Sequence, residues 1–369
     1  MSQEHSRDTA HRRSVGEAHG RVNLIGEHTD YNGGLVLPTA IPQRTRVELN
    51  VRADRLVRAW SSTHSPDEGY LVYRLGEESR AYSWLDYVQG VTWALSQERV
   101  EIGGFDARID SSVPPGSGLS SSAALEIALL RALREAFQLD VDDVGLAVVG
   151  QRAENDFVGA RVGIMDQMAA SLADAQTALF LDTRSLKYQR IRMPRRADLL
   201  VIHSGISHNH ASGEYNQRRA ECEEACRLLG VELLRDCSVG DLARINALPE
   251  PLAGRARHVV TENARVLEAV AALEDEDIDN LGRLFAASHA SMRDDYEVSI
   301  PEIDALVEIA MSDVDVAGAR MTGGGFGGSV VALNRPGAGA QAGTRIARAY
   351  AQRTGHAARV FVPPAQDLS

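Results

Sequence analysis

Apolar residues at helical spacing mark the strongest element in the chain, Ala123 to Phe137, where Leu125, Leu129, Leu133 and Phe137 share a face. Ahead of it the rhythm differs. Short runs rich in β-branched and aromatic residues (Thr45 to Val51, Leu56 to Ser61, Tyr70 to Leu75, Phe105 to Asp110) are separated by Gly, Pro and Ser and read as strands. A further strand pair is predicted over Ala178 to Met193, turning near Asp182 to Ser185. A basic stretch, Pro194 to Asp198, then precedes the apolar strand Leu199 to His203 and suggests a boundary. Beyond it, helices are predicted over Glu214 to Leu229, Ala256 to Glu274, Asp279 to Met292 and Pro301 to Met311. A glycine-rich turn feeds a strand at Ser329 to Asn334, followed by a helix near Gln341 to Gln352 and a last strand near Arg359 to Val362. Strands and helices mix in both halves without βαβ alternation, so the expected class is α+β.

Composition narrows the options. At 369 residues, 44% of them hydrophobic, the chain exceeds what one core usually holds, and two domains are expected, 1–195 and 196–369. A formal net charge of −12 with no basic tract offers nothing to nucleic acid or an anionic membrane. The opening, Met1 to Glu17, is polar. It lacks the apolar run of about 7–15 residues of a secretory signal and the ~20 of a membrane span. A cytoplasmic protein is therefore expected. Cys222, Cys226 and Cys237 are too few and too loosely spaced for a zinc site or a disulfide framework, and read as idle thiols. Lys187 is the only lysine, so no G-x-x-x-x-G-K-[ST] phosphate loop can occur.

Four stretches carry candidate chemistry. Val113-Pro-Pro-Gly-Ser-Gly-Leu-Ser-Ser-Ser-Ala-Ala124 runs into the strongest helix. Its glycines admit a ligand close to the backbone, its serines can cap the helix, and the free amides of the first turn suit a polyphosphate; a plain Ser-capped helix fits as well. In Gly20-Arg-Val-Asn-Leu-Ile-Gly-Glu-His-Thr-Asp-Tyr-Asn-Gly-Gly34, Arg21, Glu27, His28, Asp30 and Asn32 crowd one short loop, as a sugar's paired hydroxyls demand. Asp166, among Ile164, Met165 and Met168, is a helix cap or a desolvated base, and Glu154 is a magnesium ligand or a surface carboxylate. Gly323 to Gly328 holds five glycines in six positions, enough to cradle a phosphate or let another backbone pass.

Taken in order, these stretches resemble the GHMP small-molecule kinases, and the segment from Gly20 to Asn32 is similar to the sugar motif of the galactokinase family. Further similarity runs along most of the chain, including Gln151 to Gln167 and Ser288 to Asp304. The resemblance implies a two-domain GHMP fold with its site in the cleft, an ATP and Mg²⁺ requirement, and galactose as the small-molecule substrate of a monomer. Asp166 would be the base on the C1 hydroxyl, and Arg21 would hold it ionised and steady the phosphoryl group. Glu27, His28, Asp30 and Tyr215 would bind sugar hydroxyls. Gly116, Ser117, Gly118, Leu119, Ser120, Ser121, Ser122 and Ala123 would wrap the phosphates, with Trp84 near the adenine. Ser122 and Glu154 would reach the metal, and Gly323 to Gly328 would close on the phosphate turn. His19 and Met168 depart from the family pattern, which has proline and commonly an aromatic there. An N-acetylated hexosamine, a pentose, or a sensor that binds without transfer stay open as alternatives.

Overall fold

Alternation of exposed and buried positions begins at Arg13, in a strand that the glycines and charges of its second half hide from periodicity. The computed structural model describes residues 13–64, 67, 69–206 and 211–361; the expectations for Met1 to Arg12 and for Val362 lie outside them. The first half contains β1 (Arg13–Asn23), β2 (Leu35–Val36), β3 (Pro38–Val51), β4 (Leu56–Ser61), β5 (Leu71–Arg74), α1 (Leu85–Gln97), β6 (Phe105–Ser111), α2 (Ser121–Phe137) and α3 (Asp143–Arg152). A π-helical turn, Ala153–Val158, leads to α4 (Met165–Leu172), β7 (Thr177–Asp182) and β8 (Tyr188–Arg192). The second half holds β9 (Asp198–His203), α5 (Ala211–Leu229), α6 (Leu242–Ile245), α7 (Leu252–Glu274), α8 (Ile278–Asp294), α9 (Pro301–Met311), β10 (Val316–Thr322), β11 (Ser329–Asn334), α10 (Gly339–Thr354) and β12 (Arg359–Phe361). The predicted elements are present, and the α+β class with them. β1, β2, α1, α3, α4, α6 and β10 went unpredicted.

Strands segregate by half. β1-β3-β6-β4-β5 form one sheet, antiparallel except where β4 meets β6, and β2-β7-β8 form a second. The later strands make a third, β10-β11-β9-β12. Helix α2 lies directly on β1, where a methyl on Gly16 would come within 1.9 Å of the Ala128 carbonyl oxygen. Only glycine permits that approach. Around this contact Val47, Leu49, Phe105, Ile127 and Leu130 are sealed from water. A second core belongs to the later half, with Ile202, Met292, Leu306 and Val330. A third core straddles the halves: Val22, Leu24 and Ile25 pack with Val201, Val266, Phe285 and Val331.

The halves are also joined by charge. Arg320 of β10 is wholly buried. Its Nη1 donates to the carbonyls of Asn23 (3.3 Å) and Leu24 (2.9 Å), while Nη2 pairs with Glu27. Glu262 of α7 lies 3.7 Å from the same guanidinium and accepts from the Gly26 amide (2.9 Å), Ser288 (2.6 Å) and Arg265. Burial pushes Glu27 upward against the pull of Arg320, whereas at Glu262 the cations, Arg265 foremost, outweigh burial and draw it down to about 2. Removing one partner of a buried ion pair leaves an uncompensated charge, so Arg320→Met is expected to cost about 3–5 kcal/mol. Urea denaturation reads this directly, and an unchanged midpoint would show that the pair does not hold the halves.

Candidate active site

The turn from Pro114 to Ser120 joins β6 to α2, and its glycines are there for conformation: Gly116 and Gly118 have φ of +67° and +73°. Ser120 also sits in the left-handed region, at φ +61°, and its side chain makes no cap to α2. The expected serine cap is therefore absent; the left-handed backbone turns the hydroxyl away, and its oxygen is buried without a partner among the described residues. What remains at the head of α2 is a set of uncapped amides, which favours an anion. The turn is clasped from both sides. Arg21 of β1 gives its amide to the Leu119 carbonyl (3.1 Å) and its Nη1 to the Gly118 carbonyl (2.7 Å). From the other half, Ser329 donates to the Ser117 carbonyl at 2.8 Å. A methyl on Gly323 would meet the Gly118 oxygen at 3.0 Å, so the glycine-rich segment serves close backbone passage.

Two cavities adjoin this turn. The first is lined by Trp84, His64, Tyr87, Gly116, Ser121 and Ser122 among others, with the rings of Trp84 and His64 nearly parallel at 6.1 Å. Arg21, Glu27, His28, Asp30, Asp166, Tyr215, Gly323 and Gly324 line the second. Ten of the sequence-nominated residues thus line these two cavities: Trp84, Gly116, Ser121 and Ser122 the first, and Arg21, Glu27, His28, Asp30, Asp166 and Tyr215 the second, with Gly323 and Gly324 of the glycine-rich segment beside them. Arg21 and Asp166, 145 positions apart, are in direct contact: Nε and Nη2 both donate to Oδ1, at 2.8 and 2.5 Å. Asp166 stands in the first turn of α4, whose cap position is Ile164, so it is not a cap. Its Oδ2 takes no hydrogen bond among the described residues.

Around that pair the cavity is crowded with acid. Burial and the nearby Asp166 push Asp30 from 3.8 up to about 6. Asp30 has room only because position 163 is glycine; a methyl there would lie 1.9 Å from its Oδ2. Burial, with His258 and Arg218, lowers His28 to about 3 and leaves it neutral. Its ring packs against Tyr31, Tyr215 and Tyr296 at 5.9, 5.5 and 4.7 Å, Nδ1 meets the Tyr31 hydroxyl at 2.9 Å, and Nε2 is buried without a partner among the described residues. Glu27 also reaches the cavity, but its carboxylate already receives Arg320, Thr322 (3.1 Å) and the Gly323 amide (3.1 Å). Glu154 is no surface carboxylate: it is buried in the π-helical turn, accepts from Gln167 at 2.7 Å, and is raised to about 7 by burial and Asp166, with Ser122 pulling the other way.

Comparison with known proteins identifies the chain. Residues 86–174 match the GHMP kinases N terminal domain, residues 269–352 the GHMP kinases C terminal domain, and residues 3–51 the galactokinase galactose-binding signature. A galactokinase of Chloroflexus aurantiacus is 45% identical over 325 residues, covering 86% of this chain and 83% of that one. The chain belongs to the galactokinase family. A second relative, the galactokinase of a Roseiflexus species, is 43% identical over 363 residues, 97% of this chain and 92% of that protein. The solved galactokinase of Lactococcus lactis, complexed with galactose, superposes with a TM-score of 0.92 at 34% identity over 96% of this chain and 94% of its own. The mevalonate kinase of L. major, at 19% identity, a TM-score of 0.67 and 99% and 100% coverage, shares the fold. This is a kinase with paired GHMP domains.

Sequence reading missed Arg320, Gln167, Glu126 and His64. Glu126 and His64 stand outside the nominated motifs, whereas Gln167 follows Asp166 inside one and Arg320 directly precedes the glycine-rich segment, and neither was given a role. The departures from the family pattern are absorbed locally: His19 Nδ1 meets the Ile41 carbonyl at 2.8 Å, and Met168 is fully buried. The three thiols are free, and among the described residues no helix is long and apolar enough to cross a membrane.

Asp30 gives a pH test. Its folded value, about 6, lies above the unfolded 3.8, so the fold takes up a proton there. That contribution is whole below about pH 4 and is lost as pH rises through 6. Asp30→Asn is expected to stabilise the free protein by about 3 kcal/mol at pH 7.5 and to have little effect at pH 4. Thermal melts at both pH values check it; an equal shift at both would rule out a buried, proton-binding Asp30.

Proposed function

We propose that the protein transfers the γ-phosphoryl group of ATP to the C1 hydroxyl of α-D-galactose, giving galactose 1-phosphate and ADP. The contact between Arg21 and Asp166, beside an uncapped helix N-terminus, carries this reading. Galactose in the Lactococcus lactis relative supports the choice of sugar.

Phosphoryl transfer asks for in-line positioning and neutralised charge more than for covalent help from the protein. Asp166 uses Oδ1 to hold Arg21, which leaves Oδ2 to take the proton of the C1 hydroxyl as that oxygen attacks phosphorus. Arg21 is pinned by the Gly118 carbonyl between the base and the phosphate turn, where its charge offsets that of the moving phosphoryl group. Asp30, Glu27 and Tyr215 hold the sugar hydroxyls. Neutral His28 offers them Nε2, the atom with no protein partner. Backbone amides from Gly116 to Ala123, with the serine hydroxyls between, hold the triphosphate, and Trp84 with His64 borders the base.

Magnesium suits this site by its donors. The ion accepts one or two carboxylates and completes its shell with phosphate and water oxygens, so no cage of three protein ligands is required. Buried Glu154, the neighbouring Ser122 hydroxyl and the unpartnered Ser120 hydroxyl supply hard oxygens. Glu154 and Ser122 would hold Mg²⁺, which supplies neutralisation of the phosphate charge.

A division at 195/196 is supported by the segregation of strands on either side of Pro194. A monomer in the cytoplasm is proposed with this activity, and three free thiols suit that compartment.

Asp166→Asn is expected to lower kcat by about 10²–10⁴ while galactose still binds, since general-base help is what the amide lacks. Coupled assays and calorimetry measure the two effects, and a near-parental kcat would remove Asp166 from its role. Turnover of galactose should exceed that of glucose, arabinose and N-acetylgalactosamine; a faster rate on any of these would reassign the substrate.

A further inference from the structure

Behind the phosphate turn lies a second carboxylate that the reaction scheme does not use. Glu126 of α2 is wholly buried, and its Oε2 accepts from Gln167 Nε2 at 3.1 Å. The same nitrogen donates to Glu154 Oε2 at 2.7 Å. Glu126 Oε1 and Gln167 Oε1 are buried without a partner among the described residues. Position 150 closes the space: a methyl on Gly150 would lie 3.2 Å from Gln167 Cγ and 3.5 Å from Glu126 Oε2.

A carboxamide has one donor end and one acceptor end, and turning it over exchanges them. Facing Glu154 alone, Gln167 has one acceptor to keep its donor end in place. Glu126 takes the second N–H of the same nitrogen, so a flip would set the amide oxygen against two carboxylates at once. We infer that Glu126 is a positioning residue that locks the Gln167 carboxamide so that its N–H holds the Glu154 carboxylate for the metal–nucleotide complex. The inference rests on Glu154 as a metal ligand. Gln167 follows Asp166 directly on α4, so the same short helix carries both the base and the group that steadies the metal ligand.

What the role requires of Glu126 is an acceptor, not a charge, and this separates it from bulk packing and from electrostatics. Mn²⁺ titrated into the full-length protein with ADP, followed by electron paramagnetic resonance, reads the site without turnover. Outer-shell partners of metal ligands are worth about 10–100-fold in affinity. Glu126→Met, similar in size and lacking an acceptor, is expected to weaken Mn²⁺–ADP binding about tenfold. Glu126→Gln, which can present its amide oxygen to Gln167, should stay within about twofold of the parent, and galactose affinity by calorimetry should not move in either. Gln167→Met cuts the relay from the other side and should lose as much as Glu126→Met, with the double variant no worse than either single one. Should Glu126→Met fail to fold, the Gln167→Met titration decides alone. Parental affinity in the folded Met variants, equal weakness of the Gln variant, or additive losses would each overturn the inference. Glu154→Gln is the separate control: parental Mn²⁺ affinity there removes Glu154 as a ligand, a different failure from that of Glu126.

Discussion

A single guanidinium decides where the two halves of this chain meet. Arg320 has no exposed surface, and its hydrogen bonds end on the Asn23 and Leu24 carbonyls and on Glu27, the residues that lead from β1 into the sugar-side loop. A buried arginine demands compensation for its charge, and here the two terminal nitrogens of its planar fork find it while Nε has no partner among the described residues. The loop from Gly26 to Asp30 is consequently held by the second half of the chain. Glu262 and Thr322, also from that half, take up Gly26 and Glu27 in turn. The cavity between the halves inherits its shape from these contacts.

The site collects negative charge faster than it collects positive. Burial, with the nearby Asp166 carboxylate, lifts Asp30, Glu154 and Glu126 above the usual carboxylate range. Arg21 is the cation that touches the group directly. Such an arrangement is costly for the free protein, and under the proposed function a bound cation and a polar sugar would relieve it. The uncapped head of α2 follows the same logic. A serine cap would satisfy those amides, and the left-handed Ser120 leaves them open.

Glycine is used here for contact between chain segments distant in sequence. Gly118 and Gly323 let the phosphate turn and the second half touch backbone to backbone, and Gly163 makes room for Asp30. In each place the absence of a side chain is the function, which explains why glycine-rich motifs announced the site so clearly.

From its residues alone the chain declares most of its helices and strands, its α+β class and, through four motifs, the side chains that converge on the phosphate turn. Those features are local: periodicity, turn chemistry and the density of charge and glycine are all written within about fifteen consecutive residues. β1 was hidden because Gly16, Gly20 and Arg21 break its alternation, and α4 because it is buried nearly all round. Arg320, Gln167 and Glu126 were invisible for a different reason. Each stands in an ordinary strand or helix, and its importance lies in an unpaired group that folding brings opposite, up to 297 positions away for Arg320. Tertiary structure alone decided that Glu27 is clamped, that Glu154 is buried, and that Ser120 does not cap its helix. Those outcomes turn on desolvation and on partners from elsewhere in the chain, and neither is a property of a local segment.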